Sequence, residues 1–275
     1  MCTVTLLHHR EPGGASWLLG AMNRDERVTR PASSPLTIHE RMGRRAAWSL
    51  DPPGGGTWLA LTQDGLLLAL LNQYPLPGEI PPPGRSSRGR LVTELAHMPA
   101  SQVSGRLASI APGDYAPFRL VTARIASDGQ PEVGDHQFDG QRLVTAAPSL
   151  PFHASSSSWN TCEVLSWRAS HHTAWLQSAM DGSPSRTEVM RALLQLHLAP
   201  AAREGRAFDI PMSRPDARTH SVSVFELSSH GTATLRQLDL HDAPPTPTQA
   251  LDAFPEAPWA CAFAASHRPA ELPPI

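Results

Sequence analysis

The first six residues after Met1, Cys2-Thr3-Val4-Thr5-Leu6-Leu7, alternate and are rich in β-branched side chains, which predicts a strand opening almost at the first residue. Glu11 to Gly14 reads as a turn and Trp17 to Met22 as a second strand, so residues 2–22 form a predicted hairpin. Asn23 to Arg27 then reads as its polar exit. Trp58 to Leu61 and Leu66 to Leu71 flank Gln63-Asp64-Gly65, a second hairpin with Asp-Gly in its turn. Further on, helices are predicted over Arg88–His97, Ser101–Ile110, Thr161–Met180 and Ser185–Leu198. The last opens on Ser185 with Glu188 three positions on, the capping-box spacing. Strands are predicted over Phe118–Ala126, Thr219–Leu227, Thr232–Leu240 and Trp259–Ala265. Residues 75–84, Phe152 to Asn160 with its four serines, and Pro244 to Pro258 read as loops. Strands, then helices, then strands give an α+β chain, taken as one domain over residues 1–275.

Composition narrows the function classes. Hydrophobic residues at 40% and charged residues at 17% exclude disorder, and a net charge of −2 gives no electrostatic support to a nucleic-acid partner. Cys2, Cys162 and Cys261 are too few and too odd for a disulfide framework, which suits a reducing, cytoplasmic setting. No signal peptide is read at the N-terminus, and Leu66–Leu71 is too short to span a bilayer, so no integral membrane contact is expected. The His8-His9 and His171-His172 pairs cannot converge on one ion, and no His-x-x-x-His or Cys-x-x-Cys spacing occurs, so neither a metal nor a cofactor is expected. Haem ligation by a single His, Cys or Met needs no motif and stays open.

Cys2 is the first chemical candidate. Removal of Met1 would leave a thiol and an α-amine on one residue. Their ordinary pKa values, about 8.5 and about 8, let the amine act as base for the thiol. The plain alternative is an ordinary strand cysteine. Asn23-Arg24-Asp25-Glu26 is a site candidate or a charged turn. Gly54-Gly55-Gly56-Thr57-Trp58-Leu59 lacks the Gly-Lys-Ser/Thr ending of a phosphate loop, so it does not support nucleotide binding.

In combination these segments say more. Met1-Cys2, Asn23-Arg24-Asp25-Glu26 with Arg30-Pro31-Ala32, Gly55-Gly56-Thr57-Trp58-Leu59, Asn72 and Ser87-Arg88-Gly89 resemble, in order and spacing over residues 1 to 97, the NRDE family, also called the Transport and Golgi organisation family. Arg218-Thr219 and the terminal strands extend the likeness more loosely to residue 265. The resemblance implies a branch of the N-terminal-nucleophile (Ntn) hydrolases, near the choloylglycine hydrolases and penicillin-type acyltransferases. It implies a four-layer αββα sandwich with antiparallel sheets, in which an N-terminal cysteine attacks an amide or thioester through an acyl-enzyme. By resemblance, Cys2 is the nucleophile, Arg24 favours its thiolate, Asp25 orients the α-amine, Asn72 donates to the oxyanion, and Arg218 holds the site together. Asn23 and Trp58 fall among the substrate-binding positions. One departure stands out: where the family shows Ser-Asn-Ala, with the asparagine as second oxyanion donor, this chain reads Thr145-Ala146-Ala147. Losing one such donor costs about 100–1000-fold in rate. Asn160 is a nearby alternative donor. The resemblance therefore leaves three readings. They are a cysteine amidase, thioesterase or acyltransferase acting on a small-molecule or acyl substrate, a non-catalytic carrier of haem or a lipid or acyl ligand, and an Ntn-like module that binds a protein.

Overall fold

The computed structural model describes residues 2–74, 83–158, 161–198 and 210–240, and the backbone of 260–263. The first strand, β1 (Cys2–Arg10), turns at Glu11–Gly14 and pairs along its length with β2 (Ser16–Arg27). Here the structure corrects the sequence reading. Asn23 to Arg27 is not an exit from the hairpin but the last part of β2. It is held there because β11 (Ala217–Ser228) pairs with β2 as far as Arg27, while β1 pairs with its other edge as far as Arg24. The second hairpin is as expected, β5 (Leu59–Thr62) to β6 (Leu67–Asn72), with Gly65 at a φ of 71° in its turn.

Four strands carried no legible signal. These are β3 (Thr37–Arg41) and β4 (Arg44–Trp48), then β8 (Pro131–Phe138) and β9 (Leu143–Ala146), which extend the expected strand β7 (Phe118–Ile125). The β3–β4 turn places Met42 and Gly43 at φ of 53° and 71°, and methionine is not a residue that advertises such a turn. A fifth correction concerns the serine-rich stretch. Phe152–Ser155 is β10, not loop, and it covers the edge of β1 that β2 leaves open. With β12 (Ala233–Asp239) and β13 (Ala260–Phe263), these strands make two antiparallel sheets. One runs β10-β1-β2-β11-β12-β13 and the other β3-β4-β5-β6-β7-β8-β9. The proline-rich stretch 244–258, most of 75–84, and Asn160 lie outside the described residues.

The helices are α1 (Arg88–Ala96), α2 (Ala100–Ala108), α3 (Thr161–Met180) and α4 (Arg186–Leu198), each within two residues of its expected bounds. The capping box before α4 is formed: Ser185 Oγ accepts from the Glu188 N–H at 3.3 Å, and Glu188 Oε2 accepts from the Ser185 N–H at 2.7 Å. Alternation along the strands divides the apolar residues into three cores. Val4, Leu6, Met22, Leu61, Leu71 and Phe225 fill the space between the sheets. Leu68, Leu70, Phe118 and Phe138 meet Leu91, Val92 and Leu107 of α1 and α2. Leu7, Leu19 and Val224 meet α3 and α4. The stack is therefore helix, sheet, sheet, helix.

Candidate active site

The β1–β2 register sets Cys2 directly opposite Arg24 at one end of the first sheet. Asn72 ends β6 in the other sheet, and Trp58 stands just before β5. Together these ends enclose a cavity of about 160 Å³ lined by Cys2, Arg24, Asp25, Trp58, Asn72 and the Ser87–Gly89 segment, with Glu26, Arg30 and Asp51 at its charged side. Four separate stretches of the chain, carrying Cys2, Arg24 with Asp25, Trp58 and Asn72, share one pocket.

Arg24 is 4% exposed and does not stand alone. Its Nη2 donates to Asp51 Oδ1 at 2.8 Å, and its guanidinium carbon lies 4.4 Å from the centre of the Trp58 ring. Asp51 also takes Arg30 Nη2 at 2.5 Å, so one carboxylate holds two guanidiniums. The glycine run gives Asp51 its place. The Asp51 N–H bonds the Gly56 carbonyl at 2.8 Å, and the Thr57 N–H bonds the Gly89 carbonyl at 3.1 Å. A Cβ on Gly56 would come within 2.1 Å of the Gly89 carbonyl carbon, so only glycine lets the start of α1 close over the pocket. The unpaired N–H groups at that helix start make it the positive end of the helix dipole.

Asp25 is buried and accepts from Thr219 Oγ1 at 2.6 Å. Burial raises its pKa, and the amino terminus, Arg168 and the Thr219 hydroxyl oppose the rise. Burial likewise pushes the Cys2 thiol up. The Asp25 and Glu26 carboxylates add to this, while the amino terminus and the Asp25 backbone N–H pull the other way. A buried thiol of this kind is not a ready thiolate at neutral pH, so nucleophilic use of it requires a local base.

The remaining expected residues lie elsewhere. Arg218 faces a smaller adjoining recess of about 60 Å³, which it shares with Arg24, Arg30 and His220; its buried Nε has no hydrogen-bond partner among the described residues. Asn23 points to the helix side of the sheet. Its Nδ2 donates to the His197 and Ile210 carbonyls at 3.0 and 3.2 Å, and its Oδ1 meets His197 Nδ1 at 2.5 Å. It anchors the end of α4 and does not line the Cys2 cavity. Ala146 is an exposed residue of β9 in another recess, with Thr122, His136 and Thr145, and does not line the Cys2 pocket. Sequence reasoning missed Asp51, whose only mark is its place before Pro-Pro-Gly-Gly-Gly, and Ser156, hidden in the serine run. No group of three or more His, Cys, Asp or Glu side chains able to hold a metal ion occurs among the described residues. No described helix is long and apolar enough to cross a membrane.

Two antiparallel sheets between two helical layers, with a cysteine heading a central strand beside the paired ends of both sheets, define the Ntn-hydrolase fold. The Caenorhabditis elegans ortholog of N-acylethanolamine-hydrolyzing acid amidase superposes with a TM-score of 0.53 at 8% identity, over 82% of this chain and 92% of that one. The chain belongs to the Transport and Golgi organisation 2 family, whose model matches residues 1–225. Two variants of conjugated bile acid hydrolase from Clostridium perfringens align at TM-scores of 0.43, with 12% and 11% identity over 87% and 98% of this chain and 92% and 100% of theirs. No curated protein matches the sequence.

Proposed function

We propose that the protein is a cysteine N-terminal-nucleophile amidase, thioesterase or acyltransferase, with Cys2 as nucleophile after loss of Met1. The observation that carries the reading is the convergence of Cys2, Arg24, Asp25, Trp58 and Asn72 on one small cavity. In the reaction, the Cys2 α-amine takes the thiol proton and the thiolate attacks an amide or thioester carbonyl. Asn72 Nδ2, which otherwise donates to Tyr74 Oη at 3.3 Å, turns to the developing oxyanion, and the start of α1 adds its field. The intermediate collapses to an acyl-Cys2 thioester. The leaving amine or thiol departs with the proton from the α-ammonium, and water or another acceptor then takes the acyl group. Arg24 favours the thiolate, Asp25 orients the amine, and Arg218 supports Arg24 from the adjoining recess. Trp58 offers the substrate an apolar face.

A cavity of about 160 Å³ holds the reacting end of a substrate and little more, below the roughly 300–1,000 Å³ of sites that enclose drug-sized ligands. That size favours the acyl chemistry over the haem-carrier alternative. The test combines intact mass with an acyl probe. The mature chain should lack Met1 and should gain one acyl adduct that maps to Cys2 and is absent in Cys2→Ala. Retention of Met1, or turnover of a substrate unchanged in Cys2→Ala, refutes the proposal.

A further inference from the structure

Three members of the serine run read as loop have distinct jobs. Ser155 Oγ meets Thr3 Oγ1 at 3.1 Å, tying β10 to β1, and the Ser157 carbonyl receives Thr161 Oγ1 at 3.1 Å at the start of α3. Ser156 lies between them, 5% exposed, and among the described residues it bonds to Cys2 three times. Its Oγ accepts from the Cys2 nitrogen at 2.9 Å. Its own N–H donates to the Cys2 carbonyl at 2.9 Å, and its hydroxyl lies 3.5 Å from that same carbonyl oxygen.

The Cys2 nitrogen is a peptide N–H while Met1 is attached and becomes the α-amine when Met1 is removed. We infer that Ser156 is the positioning residue for this amine. The inference rests on the reading of Cys2 as an N-terminal nucleophile. A free amine can rotate about its Cα–N bond, and only some orientations point its lone pair at Sγ. The Ser156 hydroxyl hydrogen is directed at the Cys2 carbonyl, so its oxygen presents a lone pair to the nitrogen. One N–H is thereby fixed, and the lone pair is left for the thiol proton. When the proton moves, the bond to Ser156 becomes one from an ammonium, and such charge-assisted bonds are stronger than neutral ones. Ser156 thus favours the thiolate–ammonium pair over the thiol–amine pair. It acts through Cys2 and needs no contact with substrate.

The experiment follows the rate at which iodoacetamide alkylates Cys2, by intact mass, from about pH 6 to about pH 10. It compares wild type, Ser156→Ala and Ser156→Thr, each first confirmed to lack Met1. In the wild type the rate should rise near the amine's range, about pH 8. In Ser156→Ala it should fall about tenfold at pH 7, the effect of one hydrogen bond to a charged group, and rejoin the wild type at high pH, where the thiol ionises unaided. Ser156→Thr keeps the hydroxyl and should restore most of the rate. A merely structural role would lower the melting temperature and leave the pH profile unchanged, which overturns the inference. Retention of Met1 in the wild type overturns the nucleophile reading itself, a different result from matching profiles.

Discussion

Acid should weaken this fold through a histidine that cannot take up a proton inside it. His197 is fully buried at the end of α4, between Asn23 Oδ1 at 2.5 Å and Thr5 Oγ1 at 2.9 Å. The Asn23 amide nitrogen is committed to two carbonyls, so its oxygen faces the ring. His197 therefore carries its proton on Nδ1 and accepts from Thr5 at Nε2. Burial, with Arg168 nearby, drops its pKa from 6.5 to about 3. The folded value lies below the unfolded one, so the stabilisation is complete above about pH 6.5. It is lost as pH falls toward about 3, because only the unfolded chain takes up the proton. At about 1.4 kcal/mol per pH unit, lowering pH from 7 to 5 costs about 2 kcal/mol from this residue alone. That is a large part of a domain stability of roughly 5–15 kcal/mol. Urea unfolding at pH 7, 6 and 5 measures it, in wild type and in His197→Gln. The variant should lose about 1–3 kcal/mol at pH 7 from its broken hydrogen bonds, yet be about 2 kcal/mol less sensitive to acid over the same range. Asp25 and His153 titrate in both proteins, so the difference reports His197 together with its coupling to the neighbouring His172. Parallel pH profiles would refute the reasoning.

Three further outcomes follow from the same geometry. Asp51→Ala leaves Arg24 buried without its carboxylate and should destabilise by about 3–5 kcal/mol in thermal or urea unfolding, whereas Arg30, one-third exposed, should add little. Gly56→Ala forces the start of α1 off the pocket and should cost about 1–3 kcal/mol and slow Cys2 alkylation, while alanine at Gly105, a glycine inside α2 with open space around it, should be benign. Phe225→Ala empties a fully buried ring from between the sheets and should cost about 3–5 kcal/mol.

The elements legible in the sequence were those whose partners are local. The β1–β2 and β5–β6 hairpins carry alternation and a turn residue, and α4 carries its capping box within four positions. The strands that escaped notice are held by distant partners: β10 is a strand because β1 has an open edge, and β3–β4 turns on a methionine. The site divides in the same way. Cys2, Arg24, Asp25, Asn72 and Trp58 could be named from motif order, and they converge. Asp51 and Ser156 could not, because each acquires its role only when residues 27 and 154 positions away are folded against it. Asn23 was named with the site motif but faces the opposite side of its strand, a consequence of period-two alternation that a motif read as a turn conceals.

That alternation gives β2 two duties in consecutive residues. Arg24 faces the cavity, Asn23 reaches behind it to α4, and Asp25 borders the cavity while bonding to Thr219 of β11. A slip of one residue against β1 would exchange the two sets. Quality control in a cell would then meet a misfolded chain before any assay met an altered site. Inherited or engineered changes at Asn23 and Asp25 should therefore surface first as lowered protein abundance, and only the chains that survive would report on chemistry.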